Sequence, residues 1–298
     1  MPTISDTPPR IEVDRAELLK WGYIWRVGTK TRSGRNATAA EPEAGEAEAN
    51  EESSSHEETE AVVQPGIVNP SDIGMPADLA ATIRPDKKFP NAFEKAQQMA
   101  FGSIFDNAVG RAVAAMLGGL PIVTPGSSRS TSLQPEEPNC VEVGPVRVVG
   151  GIRPQNFDVG YRPDGVRFAF DSKTLNDTSS IRKNWQNMVN DLGTEATTVH
   201  TRFPYAVVAF MVVIPRPALM RAQELDLIRT LERLGSRNDV LDQAHLAEAI
   251  SLVIWNPETG EIDPLSPAAG SPLRIEVFME RIHRAYVNRY KGLPPHDR

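Results

Sequence analysis

Asp158 and, beyond a turn, Asp171-Ser172-Lys173 are the residues of this 298-residue chain best placed to do chemistry. They lie in FDVGYRPDGVRFAFDSKT, residues 157–174. β-Prone runs at 157–161 and 166–170 flank Arg162-Pro163-Asp164-Gly165. Pro-Asp-Gly signals a turn, because Pro presets φ and Gly accepts a positive φ, so a β-hairpin is predicted. Strand side chains alternate faces, which puts Asp171 and Lys173 on one side and Ser172 on the other. The turn folds Asp158 back towards that pair. Two carboxylates and one ammonium beside a sheet rim suit metal-assisted hydrolysis of a phosphodiester. A hard cation such as Mg²⁺, with Mn²⁺ able to substitute, takes carboxylate oxygens, phosphate and water. It stabilises charge on the phosphate and acidifies the attacking water. A neighbouring lysine orients that water or acts as a point charge. The bland alternative is a solvated surface pair at a strand end, which contributes little. The apolar flanks and the helices expected on either side favour the site.

On these residues the chain resembles the PD-(D/E)XK nuclease superfamily, which includes many restriction endonucleases. Asp158 matches the first Asp of the motif, Asp171 the acidic position, Ser172 the variable one and Lys173 the Lys; Phe157 stands where the family has Pro. Gly102-Ser103-Ile104-Phe105-Asp106 is similar to the family's G-x-x-F-E helix, with Asp for Glu. Asp106 is therefore a candidate third acid and metal ligand, with Glu94 as the alternative and an ordinary ion pair with Arg111 or Arg129 as the competing role. The resemblance covers roughly residues 92–215. It implies an α/β (α+β) fold, restriction-endonuclease-like, with a mixed central sheet flanked by helices. It further implies a Mg²⁺-dependent endodeoxyribonuclease acting on double-stranded DNA in restriction or phage defence. Catalysis would fall to Asp158, Asp171, Lys173 and Asp106, the three acids binding metal. Paired cuts on a duplex would need two sites, so a homodimer is expected, and a methyltransferase or helicase partner is compatible.

Several elements must position these residues. A helix is expected over 91–118, capped by Asn91, with Phe101, Ile104, Phe105, Ala108, Val109, Ala112, Val113 and Met116 on one side. A strand pair is expected at 140–143 and 146–149. After the hairpin, 176–193 reads as a helix capped by Asp177 or Ser179 and ended by Gly193. Its apolar stripe is core. Its other face carries Lys183, Gln186 and Asn187, which suit phosphates and base edges as well as solvent. Arg153 before the hairpin and Arg129 in the Ser-rich loop are the other candidate DNA contacts. Residues 203–214 form one apolar run, a buried strand. Helices are expected at 217–235, with Leu225, Ile228, Leu231 and Leu234 inward, at 243–249, and at 273–290; a strand is expected at 250–256. The last helix shows a basic edge of Arg281, Arg284, Arg289 and Lys291 that suits DNA or solvent equally.

The organisation expected is an N-terminal helical segment at 1–29, an acidic, largely disordered linker at 30–90, and a nuclease domain at 91–298. Trp21 and Trp25 suit docking on the protein's own core better than nucleic-acid contact. The linker is rich in Glu, Ala, Ser and Gly without an apolar period. Net charge is −7, which argues against nucleic acid until it is divided. Residues 1–90 hold 16 acids and 10 bases and the remainder 23 and 22, so the part bearing the site is near neutral. No apolar run is long enough for a membrane span, and the start lacks the basic-then-apolar pattern of a secretory signal, so a cytoplasmic protein is expected. A single cysteine, Cys140, excludes an internal disulfide. No G-x-S-x-G elbow is present and Cys140 has no evident His partner, which disfavours a serine or cysteine hydrolase. A nuclease-like DNA-binding or assembly module, inactive without a partner, is the alternative from another class.

Overall fold

The computed structural model describes residues 3–27, 91–126, 132–178 and 181–296. The stretch read as an acidic linker and Arg129 lie outside the described residues. In chain order the elements are α1 (Arg15–Val27), α2 (Lys95–Met116), β1 (Ile122–Val123), β2 (Val141–Val149), β3 (Pro154–Tyr161) and β4 (Phe168–Thr174). They continue with α3 (Ile181–His200), β5 (Val207–Pro215), α4 (Arg221–Leu234), β6 (Ala249–Asn256), β7 (Glu261–Ile262) and α5 (Ile275–Tyr290). The strands form one mixed seven-stranded sheet in sequential order. β1–β2, β4–β5 and β5–β6 pair in parallel and the other neighbours antiparallel. The fold is mixed α/β, and among the described residues no helix is long and apolar enough to cross a membrane.

The apolar run of β5 makes it an inner strand of the sheet, between β4 and β6, with every residue buried. Such a strand needs helices on both faces. Phe170 of β4 meets Phe278 of α5, and Gly102 of α2 lies against Ser172 and Thr174, so α2 and α5 share one face. Ile250 of β6 backs Gly235 at the end of α4 on the other face, where α3 packs beside α4.

α1 docks on this core. Asp14 Oδ1 accepts from the amide of Ala16 at 2.8 Å, the capping role its type suggested. Trp21 and Trp25 are buried; Trp21 stands edge-on to Phe93 and Trp25 Nε1 donates to the carbonyl of Asn176 at 2.6 Å. Gly22, a poor helix residue, is required by the docking. A β-carbon there would lie 1.9 Å from the carbonyl oxygen of Pro257.

Several expectations are corrected. Residues 141–149 are one strand, because Gly144 at φ 127° and Pro145 make an irregularity within β2 instead of a turn. The hairpin loop extends to Arg167, whose amide closes it on the Tyr161 carbonyl at 3.0 Å and whose side chain pairs with Asp164, and the ladder begins at Tyr161↔Phe168. Asn91 does not cap α2; it has φ 63°, and the cap is Glu94, whose amide bonds Gln97 Oε1 at 3.1 Å. α3 runs through Gly193 to His200, since Thr194, Thr197 and Thr198 bond the carbonyls four residues back while Leu192, Ala196 and Val199 continue the apolar stripe. No helix forms at 243–249; that stretch turns into β6. In α4 Leu227, not Leu225, faces the core, because the helix starts at Arg221 and its stripe is rotated. The basic edge of α5 is divided. Arg281 donates to the carbonyls of Gly235 and Glu248, and Arg289 is buried against Glu248, leaving Arg284 and Lys291 outward.

Candidate active site at the fork between β3 and β4

The β3–β4 ladder extends from Tyr161↔Phe168 to Val159↔Phe170. Asp158 is the next residue of β3, and Asp171, Ser172 and Lys173 the next three of β4. The opposite edge of β3 explains why pairing stops there. Val143↔Val159 and Val146↔Phe157 bracket Gly144-Pro145, so the β2 irregularity falls across from Asp158. A bulge bends its strand and re-aims the side chain opposite, and Pro contributes no ladder donor. β4 meanwhile stays paired with β5 from Phe168 to Thr174, so it holds its line while β3 departs.

Into the fork comes a set of acids. Asp158 Oδ2 accepts from the backbone amide of Ser172 at 2.8 Å and from Ser172 Oγ at 3.3 Å. The carboxylate thus terminates the β4 edge where β3 has left it. Asp106 of α2 reaches the same serine from the face that carries Gly102. Ser172 is therefore more than a spacer. It faces α2 while Asp171 and Lys173 face α3, as strand alternation requires. Lys173 Nζ forms an ion pair with Asp171 and donates to Glu195 Oε1 at 2.8 Å. Four carboxylates, Asp106, Asp158, Asp171 and Glu195, thus gather with a single lysine, which pairs with Asp171 and Glu195.

Electrostatics follow from that ratio. Burial first, then the charges of Asp171 and Asp106, push the Asp158 carboxyl up to about 9. Burial raises Asp106 to about 7, with its bond to Ser172 opposing and Asp171 adding. Burial and Asp171 raise Glu195 to about 8 although Lys173 pulls the other way. Burial alone would lower Lys173, but Asp171 and Glu195 outweigh it and hold the ammonium above its ordinary value. At neutral pH this cluster keeps protons because one ammonium does not balance four carboxylates. A divalent cation could take the place of those protons.

The cluster opens into a cavity of about 740 Å³ between α2 and α3. Asp106, Asp158, Ser172 and Lys173 line it, and Gly144-Pro145 form part of its wall. Neutral amides Gln98, Asn156, Asn184 and Asn187 surround them, with Lys95 and Asp191 as the flanking charges.

The structure thus brings Asp106, Asp158, Asp171 and Lys173 together. Glu94 caps α2 instead. Of the candidate DNA contacts, Asn187 lines the cavity and Gln186 is exposed outside its lining. Arg153 is exposed just before β3, also outside the lining. The side chain of Lys183 lies outside the described residues, as does Arg129. Sequence reasoning missed Glu195, because Gly193 was expected to end the helix two residues earlier. The signal was the apolar spacing of Leu192, Ala196 and Val199, which carries the helical period across the glycine.

All the acidic donors are oxygen, the type a hard divalent cation takes. Asp106 Oδ1 and Glu195 Oε2 are buried without a hydrogen-bond partner among the described residues. A buried oxygen so exposed to cost has a reason to be there. Among the described residues no three Asp, Glu, His or Cys side chains already form a metal-ligating group. Asp171 is instead engaged by the ammonium of Lys173. The donor set therefore fits such a cation in type. No family model, curated protein or solved structure matches the chain.

Proposed function

We propose that the chain is a Mg²⁺-dependent endonuclease that hydrolyses phosphodiester bonds of DNA, with the β3–β4 fork as its active site. The observation that carries this reading is the gathering of Asp106, Asp158 and Lys173 around Ser172 at the wall of one cavity, with Asp171 paired to Lys173 behind that wall. Asp158 and Asp171, with Asp106, would hold the ion. When bound, it would stabilise charge on the phosphate and acidify a water. Lys173 supplies a fixed positive charge, kept protonated by Asp171 and Glu195, beside the developing negative charge. Glu195 is a positioning residue, since it holds Lys173 Nζ from α3. The amides around the cluster can donate to phosphate or base edges without further charge. Restriction or phage defence is the setting proposed for such an enzyme, and a homodimer would allow both strands to be cut.

The test is cleavage of supercoiled plasmid with Mg²⁺ and with EDTA, using the wild type and the Asp171→Asn and Lys173→Ala variants. Wild type should cut only with Mg²⁺, and both variants should be inactive while keeping the native circular dichroism spectrum. Wild-type cutting in EDTA, or variants as fast as wild type, would remove the assignment.

One observation favours a second reading, a nuclease-like binding or assembly module. The Lys173 ammonium already sits on Asp171, and no complete ligand group exists among the described residues. Calorimetric titration with Mg²⁺ and Mn²⁺ separates the two: binding lost in Asp158→Asn supports the enzyme, and no binding at all supports the module.

A further inference from the structure

A second cavity, of about 540 Å³, lies at the other end of the sheet and shares no lining residue with the acid cluster. It is built where three segments meet: the β3–β4 loop, the turn between α3 and β5, and the end of α5. Each segment brings an arginine and two bring aromatic rings. Arg167 lies buried with its guanidinium over the Tyr290 ring at 4.6 Å. Arg289 donates to the carbonyl of Ala206 at 2.8 Å and to Glu248 at 2.7 Å. Arg202 donates to the carbonyl of Val149 at 3.0 Å and stacks on Phe203.

The charges do not cancel. Arg167 is met by Asp164 and Arg289 by Glu248. Arg202, exposed, meets no carboxylate among the described residues and donates to a neutral carbonyl. Arg289, another lining residue, has Nη2 buried without a hydrogen-bond partner among the described residues. A buried guanidinium N–H left unpaired is costly, so its natural complement is an anionic oxygen. Beside it Tyr205 is 57% exposed, a large ring face presented to the solvent at a cavity wall. Anion-binding arginines beside an uncovered ring match a ligand carrying both a phosphate and a base, because guanidinium takes phosphate and a nucleobase stacks on tyrosine. The volume is that of a small-molecule site.

We propose that this cavity binds a single nucleotide, its phosphate on Arg202 and Arg289 and its base on Tyr205. The nucleotide is either free or a unit of a nucleic-acid strand. The inference goes beyond the nuclease reading and does not depend on it, since none of its residues touches the acid cluster.

The test is calorimetric titration of the full chain in EDTA with deoxyadenosine 5′-monophosphate as the probe. Deoxyadenosine, inorganic phosphate and a 5′-phosphorylated hexanucleotide are titrated in parallel. Arg202→Ala and Tyr205→Ala are the variants, because both side chains are exposed and neither is needed for the core. Each should weaken binding about tenfold, the scale of one stacked base or one charged contact. Asp171→Asn should bind like wild type, which keeps failure of this site distinct from failure of the nuclease site. Deoxyadenosine and phosphate should each bind at least about tenfold more weakly than the nucleotide. Tighter binding of the hexanucleotide assigns the site to a strand, and tighter binding of the mononucleotide assigns it to a free ligand; both support it. No binding of either up to about 5 mM, phosphate binding as tightly as the nucleotide, or affinity untouched by both substitutions overturns it.

Discussion

Two buried carboxylate centres sit on the same sheet and behave in opposite ways. Glu248, just before β6, has both oxygens met. Oε1 accepts from Arg237 at 2.5 Å and Arg289 at 2.7 Å; Oε2 accepts from the amide of Val208 at 2.7 Å and faces His200 Nε2 at 3.3 Å. Burial would raise its pKa, but His200, Arg289 and the Val208 amide outweigh burial and lower it to about 2. At the β3–β4 fork one lysine pairs with Asp171 and Glu195 and none pairs with Asp106 or Asp158 among the described residues, and Asp106, Asp158 and Glu195 are raised. Burial is common to both centres; what differs is whether the protein supplies the counter-charge. The Glu248 carboxylate is completed from within, because an unpaired buried charge is costly. A centre left short of positive charge is a candidate for use, since perturbed carboxylates gather where chemistry occurs.

Two substitutions should have opposite outcomes at the two centres. Asp171→Asn should reduce plasmid cleavage about a thousandfold or more while leaving the urea midpoint near wild type, as expected for an electrostatic contribution to the transition state. Glu248→Gln should do the reverse. Removing that charge leaves Arg237 and Arg289 buried and unpaired, costing about 3 kcal/mol in urea unfolding, with the folded fraction still cleaving normally. A stable Glu248→Gln protein would show that the network contributes little.

A smaller effect sharpens the contrast through pH. The Asp158 carboxyl is near 9 when folded against 3.8 ordinarily, so between those values the folded state holds more protons than the unfolded chain. Its contribution to stability therefore falls as pH rises through that window. Asp158→Asn should raise the stability at pH 8 by about 1 kcal/mol and flatten the slope between pH 5 and 8. Glu248, lowered from 4.5 to about 2, contributes in the opposite sense. Its stabilisation is present above about 4.5 and is lost as pH falls towards 2. The smallest effect concerns substrate contact. Asn187→Ala, at the cavity wall, should raise KM about tenfold, the worth of a lost hydrogen bond in a closed site. Gln186→Ala, outside the lining, should leave KM unchanged in the same assay.

Much of the scaffold was legible from local pattern. The positive φ at Gly165, the fully buried β5 and the docked tryptophans of α1 follow from residue type and period. So does the shared face of Asp171 and Lys173. Gly144-Pro145 suits a gap between two strands as well as an irregularity within one, because either turn or bulge satisfies those residues locally. Only the partner strand decides which.

From the sequence alone came the hairpin, the helical stripes and the three residues Asp158, Asp171 and Lys173, since φ preference and side-chain period are short-range properties. Tertiary structure decided that β3 leaves the ladder opposite Gly144-Pro145, that Asp106 and Glu195 arrive from opposite faces, and that Arg289 turns inward to Glu248. Those outcomes depend on which helix is pressed against which strand, and burial of apolar stripes, not the polar residues themselves, chooses that packing.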